Sequence, residues 1–359
     1  MNRVEQLLKK IDLRGMDAFF MLKHEIVTNQ NVRYISGFTG SSAHLIISPR
    51  RRVLLTDERY TEQAVDQCPD FEVIGHERQP EKKLREVLAS LKIKRVGYET
   101  QSLTVEQFNL IQEGIPGIEW IPTTDIVEEL RTVKQPEEIR LLEQAAEIAV
   151  VGFDRILNLI KPGVREQDIA MELEFSMRRN TAEGSAFNII LASGTRSSLP
   201  HGVPSEKEIE PGDFLILDFG SLYGGYRSDI TRTLAVHPVS EKQREVYNLV
   251  KKAQERGLEL IKPGISAGEL YGQVQKIIIG AGYADYIGKG IGHGVGLEIH
   301  ENPFIRANED TELMIGNVLT MEPGIYIPGW GGVRIEDTVV IEEHGCRVLT
   351  KIPKDLIIL

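Results

Sequence analysis

Apolar and polar positions alternate in short blocks along the first 130 residues. Six blocks have the pattern of strands and cover residues 17–22, 43–47, 53–56, 71–74, 95–98 and 118–121. Helical spacing is found between them, over residues 57–67, 81–91 and 104–113. The N-terminal MNRVEQLLKKIDLRG adds an amphipathic helix. Alternating strands and helices predict an α/β domain.

A polar stretch, RTVKQP at residues 131–136, interrupts this pattern. Pro136 followed by Glu137 and Glu138 is typical of a helix start, because acidic groups stabilise the positive end of the helix dipole. We therefore expect two domains, residues 1–131 and residues 132–359. The second is predicted to contain helices over residues 136–160, 165–181, 241–261 and 266–281, with strands after each pair.

The second domain repeats its own sequence at an offset of about 100 residues. LIKPGVREQDIA, which begins at Leu159, matches LIKPGISAGELY, which begins at Leu260. HGVP at His201 matches HENP at His300. A repeat of this kind predicts two structurally related halves, and hence an α+β fold with internal pseudo-two-fold symmetry.

Two further pairs of segments align acidic residues. GDFLILDFG matches GNVLTMEPG, which sets Asp218 opposite Glu322. YRSDIT matches VRIEDT, which sets Asp229 opposite Glu336. The predicted symmetry therefore brings two carboxylates from each half to one centre.

Four converging carboxylates would repel one another unless a counter-charge is present or some are protonated. Carboxylate oxygens suit Mn or Mg, and Zn or Co also accept them. Two divalent ions that share bridging carboxylates fit the number of acids. Taken singly, each acid has an ordinary structural explanation: Asp218 could cap a strand, Glu322 could precede a turn, and the other two could be solvated strand residues.

The segment GIGHGVGLEIHE places His293 among glycines, which lack side chains that would block close backbone approach. An imidazole there could supply a nitrogen ligand to one ion. A single histidine in such a loop is more often a turn residue, so the metal interpretation depends on the four acids.

Other polar residues near these segments are candidates for the chemistry. Two divalent ions make hydroxide available near neutral pH, and Glu322 could accept the proton of the attacking water. His201 and His300 could stabilise an oxyanion or protonate a leaving amine, or they could be loop histidines. Arg334 could orient Glu336 or form a surface ion pair. Tyr326 could line the pocket or pack in a strand.

Composition limits the possible partners. The chain has 359 residues, 42 Lys and Arg, 53 Asp and Glu, and a net charge of −11. Nucleic acid and anionic membranes are disfavoured, since both require a basic surface. Only two cysteines, Cys68 and Cys346, occur, and no apolar run reaches the roughly 18 residues of a membrane span. We expect a cytoplasmic protein.

The segments LDFGSLYGGYRSDITRT, GIGHGVGLEIHE, TMEPGIYIP and GGVRIEDTVVI resemble the metal-site segments of the pita-bread metallopeptidases. That superfamily includes methionine aminopeptidase, aminopeptidase P, prolidase and creatinase. VRYISGFTGSSAHLIIS followed by LLTDERYTEQA is similar to the N-terminal domain of the creatinase, prolidase and aminopeptidase P branch. Methionine aminopeptidases lack that domain, and creatinase lacks the five metal ligands present here.

The resemblance implies a pita-bread catalytic domain after a smaller creatinase-like α/β domain. It also implies hydrolysis of Xaa-Pro bonds by a dinuclear centre, most often with Mn and with Co or Zn as alternatives. The implied ligands are Asp218, Asp229, His293, Glu322 and Glu336. His201 and His300 would contact substrate, and Arg334 matches an arginine behind the ligands. A metal-bridging hydroxide and a homodimer are implied too.

One position departs from the pattern. Aminopeptidase P often has a further histidine four residues before the metal histidine, where this chain has Lys289. The favoured prediction is therefore an Xaa-Pro dipeptidase acting on dipeptides. An Xaa-Pro aminopeptidase acting on longer peptides stays open, and a non-catalytic binding module is the remote alternative.

Overall fold

The computed structural model describes residues 2–25, 29–76 and 80–359. Its contacts divide the chain into two units, Met1–Arg131 and Thr132–Leu359. Among the described residues, no helix is both long and apolar enough to cross a membrane.

The first unit is built on one mixed six-stranded sheet. Its strands are β1 (Ala18–Lys23), β2 (Ala43–Ile47), β3 (Arg52–Asp57), β4 (Glu72–His76), β5 (Arg95–Glu99) and β6 (Glu119–Thr123). Their spatial order is β4-β3-β2-β1-β5-β6. β1 pairs antiparallel with β2 and parallel with β5, so the sheet grows outward from its first strand.

Helices cover this sheet and connect its strands. They are α1 (Arg3–Leu13), α2 (Gln30–Ser36), α3 (Thr61–Gln67), α4 (Pro80–Leu91), α5 (Val105–Gly114) and α6 (Glu128–Arg131). In α1, Val4, Leu7 and Ile11 are buried at helical spacing, and Asn2 with Glu5 forms a capping box at the N-terminus. A core of apolar side chains, mainly from the strands and from α4 and α5, closes the unit.

The second unit begins each half with a pair of helices. The first pair is α7 (Pro136–Ile156) and α8 (Glu166–Arg179), and the second is α9 (Glu241–Leu260) and α10 (Ala267–Gly280). Each pair packs on its own hydrophobic core, with strand residues of its own half supplying most of the opposite wall.

Strands follow each helix pair. The first half contributes β7 (Gly184–Ser185), β8 (Ile190–Ser193), β9 (Phe214–Phe219), β10 (Ser221–Tyr223), β11 (Tyr226–Arg227) and β12 (Ile230–Ala235). The second contributes β13 (Gly290–Gly294), β14 (Glu301–Arg306), β15 (Val318–Met321), β16 (Gly324–Ile327), β17 (Gly331–Arg334), β18 (Asp337–Glu342) and β19 (Gly345–Val348). This order of helices and strands, repeated in two halves, confirms the expected α+β fold.

Equivalent strand pairs carry the acidic residues. β9 pairs antiparallel with β12 in the first half, and β15 pairs antiparallel with β18 in the second. Asp218 lies on β9 and Asp229 directly precedes β12, while Glu322 directly follows β15 and Glu336 directly precedes β18. The structure thus places the four acids at corresponding ends of two antiparallel pairs.

Candidate metal centre

The four acids and His293 line one cavity of about 670 Å³. Asp218, Asp229 and Glu336 keep 7%, 4% and 1% of their surface exposed. Burial of this degree disfavours the alternative that Asp229 and Glu336 are solvated strand residues. Since charged carboxylates are costly to bury without a partner, the cavity needs a counter-charge.

His293 lies on β13, in a strand and not in a turn. Its backbone N–H donates to Thr320 Oγ1 over 3.1 Å. A Cβ at Gly292 would lie 2.2 Å from the carbonyl oxygen of Thr320, and one at Gly294 would lie 2.3 Å from that of Asn302. The glycines flanking His293 are therefore needed because β13 runs so close to both neighbouring strands.

The imidazole of His293 faces two of the acids. Its Nε2 lies 3.5 Å from Asp229 Oδ2 and 3.3 Å from Glu322 Oε1. Its Nδ1 lies 3.1 Å from the carbonyl oxygen of Gly294, which can only accept a hydrogen bond, so the proton is assigned to Nδ1. Burial lowers the pKa of His293, which keeps the ring neutral with its Nε2 lone pair directed at the acids.

Free ligand atoms are present at the same place. One ligand atom each from Asp229, His293 and Glu336 lie within 4.8 Å of one another. Three buried oxygens, Asp218 Oδ1, Asp229 Oδ1 and Glu336 Oε1, have no hydrogen-bond partner among the described residues. Unpaired buried carboxylate oxygens beside a neutral imidazole are a donor set suited to divalent cations.

Electrostatics support the same assignment. Burial, and then the neighbouring carboxylates, raise the pKa of Asp229 and of Glu336 well above their ordinary values. Burial also raises the pKa of Glu322. Without a cation these groups would therefore tend to hold protons, and a bound cation would favour their ionised forms.

Arg334 lies behind the acids and connects them. Its Nη2 donates to Asp218 Oδ2 over 2.6 Å, and its Nε donates to Thr231 Oγ1 over 3.0 Å. The Thr231 hydroxyl in turn donates to Glu336 Oε2 over 2.5 Å. Arg334 keeps only 3% of its surface exposed, so the surface ion pair considered from sequence is wrong.

Tyr326 also belongs to this network. Arg334 Nη1 donates to the Tyr326 hydroxyl over 2.7 Å and to the carbonyl oxygen of Pro200 over 3.0 Å. Tyr326 lies on β16 and lines the cavity. Arg334 thus holds the segment next to His201 against the strands that carry the acids.

Both remaining histidines line the cavity, as neighbours of the acids. The ring of His300 lies 4.3 Å from that of His293 in an edge-to-face arrangement. His300 keeps an exposed side chain, yet partial desolvation and then the neighbouring His293 lower its pKa, which favours the neutral ring. His201 lies in an exposed turn after Pro200.

Sequence reasoning missed Glu166, which supports the segment that carries His201. Glu166 is fully buried and accepts hydrogen bonds from the backbone N–H and hydroxyl groups of Ser193 and Ser205. It also pairs with Arg196. These contacts tie together the two ends of residues 193–205. The repeat aligns Glu166 with Ala267, and an acidic residue opposite an alanine was the one sequence feature that could have indicated a special role for Glu166.

A second missed contact supports His300. Lys134 Nζ lies 3.0 Å from Glu301 Oε2, with 1% and 5% of the two side chains exposed. Glu301 directly follows His300 and begins β14. A buried ion pair therefore fixes the backbone on one side of His300. Its partner is 167 residues distant in sequence, which no local pattern indicates.

Comparisons with known proteins agree with these features. The model of the creatinase/prolidase N-terminal domain matches residues 3–133, and that of metallopeptidase family M24 matches residues 140–343. An Xaa-Pro dipeptidase of Pyrococcus furiosus is 40% identical over 358 residues, covering 99% of each chain.

Two solved structures are similar over nearly the whole chain. The Xaa-Pro dipeptidase from Bacillus anthracis has a TM-score of 0.96 and 44% identity, covering 99% of each chain. The X-Pro aminopeptidase from Thermotoga maritima has a TM-score of 0.94 and 38% identity, covering all of both chains. Similar folds thus occur under both activity names.

Proposed function

The chain belongs to metallopeptidase family M24, and we propose that it is an Xaa-Pro dipeptidase that uses two divalent metal ions. The observation that carries the proposal is the set of unpaired carboxylate oxygens around the neutral imidazole of His293. Such a set is costly to bury unless cations bind there.

We assign the metal ligands as Asp218, Asp229, His293, Glu322 and Glu336. Asp229 and Glu336 each have a carboxylate oxygen without a hydrogen-bond partner among the described residues. Ligand atoms of these two acids and of His293 lie within 4.8 Å of one another, which supports metal binding by all three. Manganese is proposed on the basis of the oxygen-rich ligand set, with Co or Zn as alternatives. When bound, two such ions polarise a carbonyl oxygen and make hydroxide available near neutral pH.

Glu322 is the proposed general base. Its Oε1 accepts a hydrogen bond from Thr320 Oγ1 over 3.2 Å, which orients the carboxylate toward the cavity. It accepts a proton from the attacking water as the oxygen bonds to the carbonyl carbon. The same proton then goes to the proline nitrogen, which leaves as a secondary amine when the C–N bond breaks.

His300 and His201 are proposed to contact the substrate. A neutral imidazole can donate one N–H to the carbonyl oxygen as negative charge develops there. The lowered pKa of His300 favours the neutral ring, which suits it to this role. Arg334 is proposed to hold Asp218 and Tyr326 in position, since it donates hydrogen bonds to both side chains.

The proline preference has a physical basis in the cavity wall. A prolyl bond has no N–H and its ring fixes φ, so recognition must rely on the ring itself. An apolar wall suited to a pyrrolidine ring is formed by Phe187, Ile189, Ile190, Pro200, Val203 and Ile299.

An Xaa-Pro aminopeptidase is the second candidate. The observation in its favour is the likeness to the Thermotoga maritima structure that bears that name. The two candidates differ in whether the far end of the site accepts a free carboxylate or a continuing chain.

We also propose a cytoplasmic homodimer. Cys68 and Cys346 are both free thiols, as expected in a reducing compartment. Two-fold dimers are the commonest assemblies of soluble proteins. Sedimentation of the purified full-length chain would test the dimer.

Hydrolysis of an Xaa-Pro dipeptide and an Xaa-Pro-Xaa tripeptide, with added Mn and with a chelator, tests the activity. We expect the dipeptide to be cleaved and the chelator to abolish cleavage. Preferential cleavage of the tripeptide would favour the aminopeptidase. Cleavage of neither substrate with any of several divalent metals would contradict both.

A further inference from the structure

Among the residues that the structure describes, the cavity wall holds one cationic side chain that the proposed chemistry does not use. Its Lys and Arg residues are Lys289 and Arg334. Arg334 is already committed to hydrogen bonds with Asp218 and Tyr326. Lys289 is exposed and forms no ion pair or side-chain hydrogen bond with any residue in the described ranges. Its ammonium is therefore available to a ligand.

Lys289 lies at a suitable distance from the acids. It directly precedes β13 and is four residues before His293, so extended backbone separates the two by at most about 13 Å. Its neighbours Gly288 and Gly290 have no side chains to restrict it. A dipeptide spans at most about 7 Å. Because lysine carries its charge on a flexible four-carbon stem, Lys289 can reach the far end of a dipeptide held at the acids.

Opposite charges occupy different parts of the cavity. Four carboxylates gather around His293, while the free ammonium lies on the wall at Lys289. A dipeptide has a positive amine at one end and a negative carboxylate at the other. Attraction between the dipeptide's carboxylate and the ammonium of Lys289 would orient the dipeptide across the cavity.

We infer that Lys289 binds the free C-terminal carboxylate of the substrate and so makes the site selective for dipeptides. This inference rests on the proposed function, which it deepens by naming the group that distinguishes a dipeptide from a longer peptide. In a longer peptide the proline carbonyl continues into a neutral amide. Such a peptide has no carboxylate on its proline, so it forms no ion pair with the ammonium at that position and binds less tightly.

The test compares Lys289→Met with Lys289→Arg in the full-length Mn-supplemented protein. Substrates are an Xaa-Pro dipeptide and the same dipeptide with a C-terminal amide. For Lys289→Met we expect KM for the dipeptide to rise about five- to tenfold, with kcat and the amide substrate little changed. Lys289→Arg should restore most of the loss. Lys276→Met, in a separate groove between α9 and α10, is the matched control.

A binding measurement separates this inference from the proposed activity. Calorimetry with proline and with prolinamide should show that Lys289→Met binds proline more weakly than the wild type does, while its affinity for prolinamide is unchanged. An equal effect on both ligands, or none on either, overturns the role of Lys289. If the wild-type chain cleaves no Xaa-Pro substrate, the proposed function is wrong. The calorimetry would still decide whether Lys289 binds a carboxylate.

Discussion

Arg334 and Asp218 form a buried ion pair, in which Nη2 donates to Oδ2 over 2.6 Å. The pair neutralises one oxygen of Asp218 and leaves Oδ1 without a partner among the described residues. Asp218 is therefore held in one orientation while keeping a free oxygen for a cation. The same arginine reaches Glu336 through Thr231, so a single side chain orients one acid from each half.

Replacing Arg334 with lysine tests this organising role. Lysine keeps the charge but cannot donate to Asp218, Thr231 and Tyr326 together. Because the pair is buried, we expect a loss of about 3 kcal/mol in the free energy of unfolding and weaker metal binding. Urea unfolding and metal titration would measure both. Arg306→Lys, whose pair with Glu309 is exposed, should change neither. Unchanged metal affinity in Arg334→Lys would show that the arginine does not organise the ligands.

Asp229→Asn is expected to lose at least one ion and to reduce turnover on the order of a hundredfold or more. It should also stabilise the metal-free protein at neutral pH, because burial raises the pKa of Asp229 and asparagine cannot ionise. Elemental analysis and thermal unfolding in chelator check the two effects. Retention of both ions with full turnover would disprove the ligand role.

His300→Ala should lower kcat by about 100- to 1,000-fold with metal content unchanged, since the proposed role is donation to the developing oxyanion. Steady-state kinetics and elemental analysis of the same preparation provide the comparison. His344→Ala, an exposed histidine near β19, serves as the control. If metal is lost from His300→Ala, this residue is a ligand and its assignment as a substrate contact is wrong.

Glu166→Gln should reduce kcat on the order of tenfold or more, because it loosens both ends of the segment that carries His201. The glutamine amide would direct its N–H donors at groups that themselves donate, the hydroxyls of Ser193 and Ser205, so these hydrogen bonds would be lost. Metal content and KM should stay near those of the wild type, which separates a positioning role from unfolding. Glu172→Gln, an exposed residue of α8, is the matched control. A change in stability without any change in kcat would refute the positioning role.

The first unit has a predicted pH dependence of its own. Burial, and then the charge of Glu128, raise the pKa of Glu99 to about 7. The folded chain therefore holds this proton more tightly than the unfolded chain, whose value is 4.5. The contribution of Glu99 to the free energy of unfolding is therefore complete below pH 4.5. It is lost as the pH rises toward 7, by up to about 1.4 kcal/mol per pH unit.

Glu99→Gln should flatten this dependence. In a Trp330→Phe background, Trp120 becomes the tryptophan that reports unfolding, and it lies on β6 beside β5. Glu113→Gln, an exposed position on α5, should retain the wild-type slope. An identical slope in Glu99→Gln and the wild type would show that Glu99 does not retain its proton in the folded state.

Local patterns were sufficient for most of the elements. The predicted strands and helices of the first unit overlap the observed ones, mostly with shifts of one or two residues at their ends. The exception is the helix predicted from residue 57, because α3 begins only at Thr61, after a 3-10 turn over Glu58–Tyr60. Two short helices, α2 and α6, were not predicted. α2 has seven residues, too few to establish a helical period, and its start depends on Asn29 accepting from the N–H of Asn31.

The internal repeat made the four acids predictable as a group, because equivalent positions in two related halves meet at the centre. The supports behind them were not predictable in the same way. Glu166, Lys134 and Glu301 make contacts with partners far away in sequence. The repeat aligns Glu166 with Ala267 and Glu301 with Gly202, and Lys134 lies outside the aligned segments. Long-range pairing of this kind depends on the packed fold.

The most direct test of the dinuclear metal centre is titration of the metal-free, full-length chain with Mn while metal binding and Xaa-Pro dipeptide hydrolysis are followed together. We predict that two ions bind per chain and that activity appears as they bind. We also predict that Asp229→Asn and Glu336→Gln each bind fewer than two ions and lose activity. Two ions bound by these variants, or hydrolysis by the wild-type chain in the absence of any divalent metal, would contradict the proposed dinuclear centre.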